Sequence, residues 1–210
     1  MSGHAPLTRV SSRAMPLDID SIDTDVITPM PRVMDGTYVE HAFEPLRFED
    51  DGRPKPDDPF ADARFTGAEI LVTGANFGCG SSRETAVWAI KGMGYRVVIA
   101  ESFGDIFSSN CFKNGVLALR LPRDDVRRLL AQAQSGEVVT IDLDDMLVTT
   151  SGGLSIPFQL PELRRTALRE GLDDLDVTLR MADLIEDFAA EHLAQRPWVL
   201  PKADERHYQA

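Results

Sequence analysis

The chain has 210 residues, a formal charge of −12, and a composition that is 43% hydrophobic and 27% charged. That is the size of one ordinary domain with enough apolar side chains for a core. Its acidity argues against broad phosphate-backbone or anionic-membrane binding, which need a basic footprint, although a few arginines in one pocket can still hold a small anion.

Residues 1–14 lack the continuous apolar run of a secretory leader, and no later stretch reaches the length of a membrane span. They are polar and expected to be loose, in a chain expected to be cytoplasmic. Residues 15–29 (MPLDIDSIDTDVITP) alternate short apolar pairs with aspartates, which predicts a strand, a turn at 23–25 and a second short strand. Residues 35–67 have no clear period. Within them 49–62 (EDDGRPKPDDPFAD) is rich in Pro, Gly and Asp and reads as a loop. Such length is more often functional or mobile than filler, and 30–66 is expected to be a mobile loop region.

Residues 68–73 (AEILVT) read as a buried strand and 74–80 as a glycine-rich turn. Apolar Ala86, Val87, Ala89, Ile90 and Met93 give 81–93 a helical spacing, and 95–100 (YRVVIA) is the next buried strand. This strand–loop–helix–strand order implies parallel pairing through a right-handed crossover. A helix at 105–113, a strand at 116–121 and a helix at 123–133 follow. Strands at 138–143, 146–150 and 154–158 come next, then helices at 161–170 and 181–193 and a tail at 196–210. The expected fold class is α/β with mixed layers.

The segment GANFGCGSSR at 74–83 links a buried strand to a helix. Gly74, Gly78 and Gly80 admit positive φ and close approach of a ligand. The first N–H groups of a helix lack internal partners, carry the positive end of its dipole, and bind carboxylate or phosphate. Arg83 adds a planar fork for a carboxylate. Plain structural roles exist for each residue. Ser81 with Glu84 fits a capping box, Ser82 could also cap, and Arg83 could pair with any acid. Cys79 and Cys111 could simply pack. The coincidence of all these groups at one helix start favours an anion site. The loop lacks the Gly-Lys-Ser/Thr of a P-loop, and Arg83 stands where a dinucleotide fingerprint needs Gly or Ala. Two cysteines make neither a disulfide framework nor the ligand set of a four-iron cluster.

GANFGCGSSRE at 74–84 resembles the signature loop of the aconitase superfamily's swivel domain, as found in 3-isopropylmalate dehydratase (isopropylmalate isomerase) small subunits. IDTDVITP at 22–29 is similar to the D-T-D-x-I-x-P segment of that family. AESFGDIF, NCFKNGVLAL and GLDDLDVTL (171–179) follow in the family's order, so the likeness covers about 15–180. It implies a swivelling β/β/α domain over 15–195, a mixed sheet with flanking helices. It also implies a hydro-lyase that isomerises 2- and 3-isopropylmalate by dehydration and rehydration in leucine biosynthesis. The 4Fe–4S cluster would belong to a large partner subunit, with no cofactor on this chain. By the same likeness Ser81 is the catalytic base. Ser82, Arg83 and Gly80 bind substrate, with Thr24 and Asp25 beside them, and the 30–66 region could reach the substrate's variable side chain. One departure stands out: the family reads S-S-R-E-H-A, and here Thr85 replaces the histidine. A dehydratase for another hydroxy-diacid (2-methylmalate/citraconate or 2,3-dimethylmalate) therefore stays open, as does a non-catalytic anion-binding module. His4, His41, His192 and His207 show no ligand spacing, and the Asp pairs at 50–51, 57–58, 144–145 and 173–174 read as solvated turns.

Overall fold

The computed structural model describes residues 3–199. They fall into two compact units that divide between Asp173 and Asp174, where the sequence suggested one domain over 15–195. The strands are β1 (Arg9–Leu17), β2 (Ile70–Thr73), β3 (Val97–Ala100), β4 (Leu117–Arg120), β5 (Val138–Asp142), β6 (Leu147–Thr150) and β7 (Ser155–Pro157). The helices of the first unit are α1 (Thr24–Ile27), α2 (Met30–Asp35), α3 (Glu44–Arg47), α4 (Glu84–Gly92), α5 (Asp105–Lys113), α6 (Arg123–Gln134) and α7 (Glu162–Glu170). The second unit holds α8 (Asp174–Leu179) and α9 (Ala182–Gln195), neither of which contains a buried residue.

All the strands lie in one mixed sheet of order β4-β3-β2-β1-β5-β6-β7. β2, β3 and β4 are nearly continuous apolar runs, and they pair in parallel with both faces covered. Ile70, Val72, Val97, Ile99, Leu117 and Leu119 pack on one side with Val126, Leu129 and Leu130 of α6 and Leu168 of α7. Leu71, Val98 and Ala118 point the other way, toward Val87 and Ile90 of α4 and Phe107 and Cys111 of α5. Each fully buried Leu, Ile or Val stabilises this packing by roughly 1.5–3 kcal/mol. β5, β6 and β7 form an antiparallel meander with buried and open positions alternating.

β1 joins the two halves. Its residues Arg9–Arg13 pair antiparallel with β5, and Ala14–Leu17 pair parallel with β2. Residues 9–14, expected to be loose, are therefore in the middle of the sheet. Their polarity belongs to a half-exposed strand: Val10 and Ala14 are buried, and Arg9, Ser11 and Arg13 face outward. The second strand expected after the 23–25 turn is instead α1, a helical turn whose N-cap Asp23 accepts from Val26 N at 2.8 Å.

The 30–66 region is ordered as short helical turns, and its buried Ala42, Phe43 and Phe65 join the core that holds Leu71, Phe77 and Val87. Fully buried Phe43 stacks on Phe60 with centroids 4.8 Å apart. The Arg47 guanidinium lies over Phe48 and donates to the Ala42 carbonyl at 2.9 Å. Arg32 grips Glu44 with two hydrogen bonds of 2.6 and 2.9 Å, which holds that carboxyl below its ordinary range. Helices of one turn leave no period to read in the sequence, which is why the region looked irregular.

Candidate active site

Past the carboxyl ends of β1, β2 and β3 the backbone keeps its parallel pairing for several residues. Ser21 N donates to Ala75 O (2.8 Å), Gly78 N to Ile22 O (2.7 Å) and Thr24 N to Cys79 O (3.0 Å). On the other flank Phe77 N donates to Ser102 O (3.0 Å) and Gly104 N to Phe77 O (2.9 Å). Residues 74–80 are thus a central ribbon between two neighbours, at the strand ends where α/β sheets bind ligands.

The loop's glycines answer different demands. Gly78 and Gly80 take φ of 70° and 88°. Gly74 has no positive φ; a Cβ there would strike the Asp20 carboxylate and the Ile19 carbonyl. A Cβ on Gly78 would strike the Phe107 ring. Two residues missed from the sequence complete the support. Asp20 Oδ1 accepts from Ala75 N at 2.6 Å, and Ser102 Oγ accepts from Asn76 N at 2.8 Å. The aspartate-rich run at 18–25 was the available signal for the first; nothing marked the second.

The helix expected from Ser81 begins at Glu84, with Arg83 as N-cap in an extended conformation and no side-chain cap. The capping box does not form, because with Arg83 at the cap Ser81 lies two residues before it; Glu84 accepts from Asn114 Nδ2 at 2.7 Å. Ser81 and Ser82 are exposed, and among the described residues neither hydroxyl makes a hydrogen bond. The backbone N–H groups of 80–83 also donate to nothing among the described residues. Arg83 Nη1 donates to Asp25 Oδ1 at 2.6 Å and to Thr28 O at 3.3 Å, while its Nε and Nη2 stay unengaged among the described residues. The Arg83 side chain is only 14% exposed against 57% for that of Asp25, so the cation is held and the acid is the more solvated partner.

Thr24 is buried and its hydroxyl donates to the Ser81 carbonyl at 2.9 Å, so it fixes the loop from beneath. The structure thus gathers Thr24, Asp25, Gly80, Ser81, Ser82 and Arg83 into one region. Thr85 follows in the first turn of α4, with a buried Oγ1 that lacks a hydrogen-bond partner. Cys79 is partly buried with Sγ 3.7 Å from Ser21 O; Cys111 is buried in α5, and burial pushes its thiol up. Among the described residues no group of His, Cys, Asp and Glu is placed to hold a metal ion. His41 bonds the Thr37 carbonyl and His192 packs on Phe188; His207 lies outside the described residues. No helix among the described residues is long and apolar enough to cross a membrane.

The chain is similar to known proteins over most of its length. The aconitase C-terminal domain family matches residues 6–124. The 3-isopropylmalate dehydratase small subunit of Roseobacter denitrificans is 41% identical over 197 residues, covering 91% of this chain and 98% of that protein. The protein of the same name from Paracoccus denitrificans is 40% identical with the same coverage. Among solved structures, the 3-isopropylmalate dehydratase from Methanocaldococcus jannaschii is 28% identical with a TM-score of 0.61. The match spans 86% of this chain and 99% of that one.

Proposed function

The chain belongs to the aconitase C-terminal domain family, and from that premise we propose that it is the small subunit of a 3-isopropylmalate dehydratase, isomerising 2- and 3-isopropylmalate by dehydration and rehydration. It works with a large subunit that carries the 4Fe–4S cluster. Of this chain's two cysteines, Cys111 is buried and Cys79 stands alone at the loop. Bound on the partner, the cluster supplies a Lewis acid for the departing hydroxyl.

The observation that carries this reading is the open chemistry of the loop. Among the described residues, two exposed, unengaged hydroxyls, four unengaged N–H groups and a half-used guanidinium share one helix start. Ser81 acts as base toward the carbon-bound proton beside a substrate carboxylate. As that C–H bond breaks, its electron pair forms the double bond and the neighbouring C–O bond releases hydroxide. A serine hydroxyl is a weak base unless its alkoxide is stabilised. The helix N-terminus and the Arg83 charge supply that stabilisation as fixed electrostatics. Ser82 and the free edge of Arg83 hold the carboxylate.

In the reconstituted pair, Ser81→Ala lowers kcat by about 10²–10⁴-fold, the usual range for a general base, with little change in KM. Arg83→Lys raises KM about tenfold, because a lysine cannot form the bidentate pair. Wild-type turnover by Ser81→Ala would remove the base assignment. A second reading, a different small hydroxy-diacid, draws on Thr85, whose unpartnered hydroxyl stands where the family pattern has histidine. Comparing kcat/KM for 3-isopropylmalate, 2-methylmalate and 2,3-dimethylmalate decides between them; the first is expected to be preferred.

A further inference from the structure

We propose that a cleft of about 230 Å³ at the carboxyl end of β4 is a second anion site, taking a small monocarboxylate that bears an apolar branch. Its apolar lining includes Phe103, Phe112 and Leu160, and its charged lining is Asp105, Arg120 and Arg164. In this acidic chain nearby guanidiniums find carboxylates: Arg123 pairs with Glu101 and Arg165 with Glu162. Among the described residues Arg120 and Arg164 pair with none, and neither does Asp105, although all three line the same space.

Each arginine is fixed by contacts that leave its charge available. Arg120 Nε donates to the Glu101 carbonyl at 3.1 Å, and among the described residues both terminal nitrogens stay unengaged. Arg164 lies over the Phe112 ring with its central carbon 4.4 Å from the centroid, which holds the cation without using its N–H groups. Two cations against one carboxylate leave the lining with a single net positive charge. That balance suits a monoanion, and the aromatic wall suits an apolar substituent over a second charged group. The cleft has the same strand-end placement as the catalytic loop, where α/β sheets bind ligands.

The cleft contains no residue of the 74–83 loop, so its failure leaves the catalytic reading standing. Its lining residue Phe103 is nevertheless aligned with Phe77 of that loop, and Gly104 N donates to Phe77 O.

The test is an NMR titration of the full chain with 4-methylpentanoate, its neutral amide, and sodium chloride at matched ionic strength. The carboxylate gives saturable shifts at 103–108, 118–120 and 159–164. The amide binds about tenfold more weakly, as expected for losing a charge-assisted pair. Arg120→Gln and Arg164→Gln, both surface changes, weaken carboxylate binding by a similar factor while the rest of the spectrum stays folded. Equal binding of the amide, the same shifts from chloride, or undiminished binding by both variants overturns the proposal. Repeating the titration on the assembled pair separates the two sources of a carboxylate. Retained binding supports a free ligand, and loss of binding on assembly overturns it in favour of an acidic side chain of the partner.

Discussion

Thr24 is held at three points: its N–H donates to Cys79 O, its hydroxyl donates to Ser81 O, and its carbonyl accepts from Thr28 Oγ1. Thr24→Val keeps the shape and deletes the hydroxyl, leaving the Ser81 carbonyl without that partner. Denaturant unfolding should show a loss of about 0.5–1.5 kcal/mol, the net range for one hydrogen bond whose acceptor can turn to water. The catalytic rate should fall with it, because the base rides on that carbonyl; an unchanged midpoint and rate would show that the bond does not matter. Much at this scale was legible. Three glycines, two serines and an arginine after an apolar strand mark an anion-binding helix start whatever the tertiary structure. The capping box fails for a physical reason: the chain stays extended through Arg83, so the helix starts at Glu84 and Ser81 lies before its cap. The run at 18–25 marked Asp20 only as one aspartate among several, and nothing marked Ser102, because their bonds to the loop exist only once β1, β2 and β3 stand side by side.

At the scale of elements, α2 and α3 are tied by Arg32 and Glu44, and the tie depends on charge. Arg32 depresses the Glu44 pKa below its ordinary 4.5. A depressed carboxylate contributes stability that is present above its unfolded value and lost as pH falls through the folded one. The α2–α3 pair should therefore loosen only below about pH 4.5, the range set by Glu44 itself. Hydrogen exchange corrected for intrinsic rates should show faster exchange of 30–47 at pH 3.5 than at pH 7. Glu44→Gln should show that faster exchange already at pH 7; protection equal to wild type would break the argument. The parallel strands and α4 to α6 were readable because continuous apolar runs and helical spacing are local signals. α1 and α8 were not, since four and six residues complete too little of a period.

At the scale of the whole molecule, the sheet divides the first unit into two cores, and the two cysteines sit in contrasting places. Cys111 lies inside one core, its thiol kept protonated well above the ordinary range by burial, while Cys79 lies on the loop. A thiol reagent at pH 8 should modify one cysteine per native chain and two in denaturant; two in the native state would contradict the packing of α5. The division between Asp173 and Asp174 could not be read, because GLDD carries no linker-like composition and α8 follows almost at once. The place of β1 has a consequence for how the chain is made. Arg9–Arg13 have their partners at Val138–Asp142, so the first strand synthesised waits for one of the last. Such distant pairings are slow to close, because loop entropy must be overcome before any contact forms in return. On the ribosome the amino-terminal half of β1 is an open edge until about two thirds of the chain has emerged, and in that interval it depends on its outward-facing Arg9 and Arg13 to resist mispairing.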